Sequence, residues 1–118
     1  MKRKHVGQWL SVEEYRAMES EAHFQGWVMR AAREFGWSVY HTRFSVLSDG
    51  GFPDLVLVKA GEPVIYAELK RQVGVVTPKQ QAWLDVLRSA LGTRVFVWRP
   101  DDRPEILRVL GGFAVEAK

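Results

Sequence analysis

The stretch "GFPDLVLVKAGEPVIYAELK", residues 51–70, constrains the fold more than any other. Two short apolar runs, Leu55 to Val58 and Val64 to Lys70, flank Ala60, Gly61 and Glu62. The first run is apolar on both faces, as in a central strand covered from two sides. A three-residue loop containing glycine is a common hairpin connection, so the two runs are expected to pair antiparallel. Lys59 then meets Pro63, and Asp54 faces Glu68 with Cβ atoms about 5 Å apart. Side chains two apart on a strand share a face, so Glu68 and Lys70 point one way and Leu69 the other. A buried strand favours Val or Ile at such places, so an acid and a lysine there call for a chemical reason.

The flanking segments supply the rest of an α/β pattern. Ser11 to Glu14 fits a Ser-x-x-Glu capping box that opens a first helix. From Ser20 to Phe35, Phe24, Trp27, Val28, Ala31, Ala32 and Phe35 recur at helical spacing, and Gly36 stands where a helix would stop. Residues 38–44 alternate as a strand, with Val39, His41 and Arg43 on one face and Tyr40, Thr42 and Phe44 on the other. "LSDGGFP" is turn chemistry. Thr77 and Pro78 open a helix, with Gln80 three residues after the cap. That helix runs through Trp83, Leu84 and Leu87 to about Leu91 and closes at Gly92. Arg94 to Trp98 reads as a strand ended by Arg99 and Pro100. Asp102 to Glu105 caps a short last helix carrying Ile106, Leu107 and Leu110. The sum is a small mixed β-sheet flanked by helices.

With 118 residues, 47% of them hydrophobic, the chain has the size and composition of one folded domain. No apolar run approaches the roughly 18 residues of a membrane span. The start, "MKRKHVGQWLSVEEY", is basic without an apolar signal core, which suggests a cytoplasmic protein. The absence of cysteine excludes disulfides, a thiol nucleophile and a thiolate zinc site. A net charge of +3 and a pI near 9.4 suit a polyanionic partner, although Lys and Arg are spread along the chain.

Two carboxylates as close as Asp54 and Glu68 repel, and one stays protonated unless a cation joins them. Mg²⁺ suits the place best, being hard and usually held by one or two carboxylates, waters and substrate phosphate. The Leu69 backbone carbonyl, between Glu68 and Lys70, offers a further oxygen. Lys70 supplies a cation to orient a water or steady a phosphate. These parts suit metal-assisted phosphodiester hydrolysis.

The same residues resemble the PD-(D/E)XK nucleases, with Pro53-Asp54 and Glu68-Leu69-Lys70 as the signature. More narrowly, "SEAHFQ", "GFPDLVLV", "YAELK" and "TPKQQAWLDVL" before Gly92 resemble, in order, the VRR-NUC (virus-type replication-repair nuclease) family across roughly residues 20–99. The resemblance implies a restriction-endonuclease-like core. It implies Mg²⁺ or Mn²⁺ at Asp54, Glu68 and the Leu69 carbonyl, with Glu21 helping to bind or position metal and water. It implies Lys70 as the catalytic lysine and Gln80 as the family's glutamine after that strand. It also implies a DNA substrate, a homodimer as in small members of the family, and a host process in phage or bacterial cells. "RQVGVV" lacks some of the family's charged and glycine-rich residues, which bears on DNA contacts. His41, Arg43 and Arg71 are the candidate DNA-binding residues.

Plainer roles exist for each residue taken alone. Asp54 could be a turn residue, and Glu68 with Lys70 a solvated ion pair. Glu21 suits a helix's first turn, and Gln80 completes a capping box. The four-part pattern favours a stand-alone metal-dependent DNA endonuclease, selective for branched or four-way junction DNA because so short a chain has little surface for reading bases. The alternatives are a non-catalytic DNA-binding module with the same fold and a sequence-specific restriction-type endonuclease.

Overall fold

The computed structural model describes residues 11–43 and 50–112. Helices α1 (Val12–Met18) and α2 (Glu21–Glu34) come first, followed by strands β1 (Ser38–His41), β2 (Leu55–Val58) and β3 (Val64–Leu69). Helix α3 (Pro78–Ser89) leads into β4 (Thr93–Trp98), and a 3-10 turn at Pro100–Asp102 into α4 (Arg103–Gly111). The four strands form one mixed sheet in the order β1-β2-β3-β4. β1 pairs with β2 and β2 with β3 antiparallel, and β4 is parallel to β3.

Local chemistry explains where the elements begin. The Ser11 hydroxyl accepts the Glu14 amide and the Glu14 carboxylate accepts the Ser11 amide, both at 3.0 Å, completing the expected box. Ser20 caps α2 by accepting the His23 amide. Thr77 and Gln80 form the reciprocal pair at the start of α3. The β2–β3 hairpin has the expected register, with Leu55 opposite Ala67 and Leu57 opposite Ile65. Its turn closes by a bond from the Glu62 amide to the Lys59 carbonyl, with Gly61 at φ +83°.

That register sorts the two faces. Leu55, Leu57, Ile65, Ala67 and Leu69 are fully buried with Phe24, Val28 and Ala32 of α2 and Ile106 and Leu110 of α4. The Trp37 indole ties β1 to this layer through the Leu110 carbonyl at 2.9 Å. On the opposite face Tyr66 meets Phe52 edge-on, and Phe52 meets Trp83 of α3. Helices therefore stand on both sides of the sheet, but β2 is fully covered only on the Leu55 and Leu57 face; on the other, Val56 is half-buried and Val58 is exposed, against the expectation of a strand covered from two sides.

Two boundaries and one buried position differ from expectation. Helix α3 stops at Ser89 rather than about Leu91, because Ala90 turns extended and the Thr93 hydroxyl donates to the Leu87 and Ala90 carbonyls. Strand β1 ends at His41, although the Thr42 amide still reaches the Asp54 carbonyl at 2.8 Å. Phe44 and the first part of the expected turn lie outside the described residues. In α4, Val109 rather than Leu107 is buried beside Ile106 and Leu110, since residues three and four apart share a helix face.

Candidate active site

Asp54 reaches the sheet through a tightly docked loop. Gly51 has φ +94°, and a Cβ there would lie 2.8 Å from the Lys79 backbone. Only glycine lets this loop rest on the first turn of α3. Pro53 is buried behind it. Asp54 Oδ2 then accepts the Leu69 amide at 2.8 Å, at the end of β3 where Glu68 is also carried.

Glu68 is 1% exposed. Its Oε2 lies 3.4 Å from Lys70 Nζ, while its Oε1 is buried with no hydrogen-bond partner. Lys70 is itself buried, and its amide prolongs the parallel ladder by donating to the Trp98 carbonyl at 3.0 Å. Glu21 opens α2 and is half-buried.

These groups share one electrostatic environment. Burial, reinforced by the Asp54 charge, pushes the Glu68 carboxyl up to about 7, against the pull of Lys70. Burial also raises Asp54, opposed by the Leu69 amide, Lys70, His41 and the Glu68 side chain beside it. Glu21 is raised by burial and then by Asp54, and lowered by Lys70. Three acids thus compete for one nearby lysine. Such a site is short of positive charge, and burial leaves one Glu68 oxygen without a hydrogen-bond partner.

Among the described residues, no group of three or more His, Cys, Asp and Glu side chains is arranged to hold a metal alone. A hard cation held by two carboxylates, a carbonyl and waters needs no such group. The oxygen donors and the unpartnered Oε1 fit that kind of ion.

The other expected residues stand around this centre in different states. His41, opposite Leu55, is half-buried and acts on Asp54 electrostatically. Arg43 is exposed. Arg71 is exposed too, and its guanidinium donates to the Ala17 carbonyl at 3.0 Å. Gln80 is half-buried, with Oε1 accepting the Thr77 amide at 2.9 Å. His23 is on the surface, paired with Glu19.

Two features had not been anticipated. The Arg103 guanidinium grips the Glu19 carboxylate at 2.7 and 3.0 Å and lies over the rings of Phe24 and Trp27. This pins the segment before Glu21 to α4, and the Arg103 hydrogen bonds hold the Glu19 carboxyl below its ordinary range. The second is Arg99, whose guanidinium binds the turn that follows Lys70. Its one signal in the sequence is its place beyond β4, level with Lys70 in a parallel pairing.

The VRR-NUC domain family matches residues 38–102, more than half of the chain. The chain belongs to the VRR-NUC family. The match takes in Asp54, Glu68, Lys70 and Gln80, whereas Glu21 precedes it. A four-stranded mixed sheet flanked by helices is the restriction-endonuclease-like architecture of the PD-(D/E)XK nucleases, and this VRR-NUC chain has it. No curated protein and no solved structure matches the chain.

Proposed function

We propose that this VRR-NUC protein is a metal-dependent DNA endonuclease that selects branched or four-way junction DNA over a fixed sequence. The observation that carries the reading is Glu68, a carboxylate almost wholly out of water with one oxygen unpartnered and Asp54 close enough to raise its pKa. A fold has no structural use for that arrangement, since an unsatisfied buried polar group costs about 1–3 kcal/mol. A site that receives a cation does.

Asp54, Glu68 and the Leu69 carbonyl would hold Mg²⁺ or Mn²⁺, with Glu21 positioning metal or water from α2. Bound there, the ion would polarise the scissile phosphate and lower the pKa of a water. Lys70 would hold the attacking water or a phosphate oxygen by hydrogen bonds and offset the charge that builds on phosphorus. Water adds to phosphorus, the bridging P–O bond breaks, and the leaving oxygen takes up a proton. His41, Arg43 and Arg71 would steady the DNA backbone through contacts that position the duplex without reading bases. As a homodimer, the protein would bring two such sites to the two strands of one junction.

Labelled linear duplex, flap and four-way junction DNA should be incubated with Mg²⁺, Mn²⁺ or EDTA, using wild type and Asp54→Asn. Junction cutting that needs metal and disappears in the variant is the expected result. Binding to DNA that ignores chelator, with no cutting on any substrate, would instead mark a DNA-binding module. A fixed band pattern on plasmid DNA would mark a sequence-specific enzyme.

A further inference from the structure

Lys70 projects from the end of β3, and a lysine stem of four methylenes samples many rotamers unless something walls it in. The wall is the turn that follows. A Cβ on Gly74 would stand 3.4 Å from Lys70 Cδ and 3.4 Å from the Arg71 amide nitrogen, so this turn lies directly on the lysine stem. The Gly74 amide closes the turn on the Arg71 carbonyl at 3.0 Å.

The turn is held from outside by one side chain. Arg99 Nη1 donates to the carbonyls of Arg71 at 2.9 Å, Gln72 at 3.3 Å and Gly74 at 2.7 Å. A second strap runs from the Asp101 amide to Gln72 Oε1 at 3.0 Å. Arg99 is fixed in turn, its amide donating to Asp102 Oδ2 at 2.8 Å. The parallel register that sets Leu69 beside Trp98 brings this arginine level with Lys70. Charge-assisted bonds are roughly twice as strong as neutral ones, so a guanidinium shared by three carbonyls is a firm anchor.

We propose that Arg99 is a positioning residue for Lys70. By pinning residues 71–74 against the methylene stem, it fixes where the ammonium points, without itself meeting DNA or metal. The kinetic consequence rests on the nuclease reading; the hold on the lysine does not.

Two variants test this. Arg99→Met keeps an apolar stem and removes every donor, while Arg99→Lys keeps the charge and part of the donor capacity. Hydrogen exchange read by mass spectrometry should show amides of residues 70–76 exchanging on the order of tenfold faster in Arg99→Met, with β2 and α2 unchanged. Junction cutting under steady-state conditions should slow roughly 10–100-fold in kcat, with KM for DNA moving less than about twofold. Arg99→Lys should recover part of both. A merely structural role would lower the melting temperature and leave kcat intact in the protein that remains folded. Unchanged exchange at 70–76, or wild-type kcat in folded Arg99→Met, overturns the proposal. If wild type itself cuts no DNA, the nuclease reading fails, and the exchange data alone decide whether Arg99 holds the lysine's turn.

Discussion

At the residue scale, Glu68 combines burial, a neighbouring acid and a lysine only 3.4 Å away. Its folded pKa of about 7, against an ordinary value of 4.5, means the folded protein keeps a proton that the unfolded chain releases. Stability from this group is present below about pH 4.5, falls as pH rises, and is gone above about 7. Urea unfolding in EDTA should therefore show the wild type losing on the order of 3 kcal/mol between pH 4.5 and 8. Glu68→Gln should flatten most of that loss, leaving a residual slope of the same sign from Asp54 and Glu21. Added Mg²⁺ should restore stability at pH 8 in the wild type but not in Asp54→Asn, because ligands stabilise only the state that binds them. Asp54→Asn is preferable to Asp54→Ala, since the amide oxygen can still accept the Leu69 N–H that alanine would leave orphaned. Lys70→Met should fold and cut at least roughly a hundredfold more slowly, the usual loss when one charge-stabilising donor is removed.

Elements carry the site through turns and caps rather than through regular structure. Gly51→Ala should cost roughly 2–4 kcal/mol by denaturant unfolding, combining left-handed strain with overpacking against the Lys79 backbone. Gly61→Ala has φ +83° but open space around it, and should cost only about 1 kcal/mol. A similar loss for both would mean that the loop before Asp54 is not docked on α3 as described. Caps and turns are largely readable in the sequence. Both capping boxes depend on residues three apart, and the hairpin register follows from a loop of three, so the pairs Leu55 with Ala67 and Leu57 with Ile65 follow from the sequence alone. The inward turn of Val109 in place of Leu107 was readable too, because Ile106, Val109 and Leu110 stand three and four apart on one helix face. Arg99 on the 71–74 carbonyls and Arg103 on Glu19 were hidden. Such contacts join side chains to partners far along the chain, and no periodicity records them.

At the scale of the whole molecule, a net charge of +3 is too small to give strong non-specific attraction to DNA. Affinity should therefore depend on a few phosphate contacts. Arg43→Ala is expected to lower the slope of log affinity against log salt by about one, for junction and linear DNA alike. Loss of affinity for the junction alone would assign Arg43 a role in recognising the branch. Sedimentation should report a species of twice 13.5 kDa if the protein works as a homodimer. Val58 and Tyr40 remain exposed on the sheet at the β1 side, 46% and 64% accessible. The unpartnered oxygen of Glu68 has a consequence for heredity as well as for chemistry. A lineage selected for thermal robustness, with no demand that it process DNA, would gain by replacing that glutamate with an apolar or neutral residue, because stability and activity pull this position in opposite directions. Libraries screened only for heat tolerance should accumulate changes at residue 68 early, and libraries also screened for DNA cutting should never lose the acid.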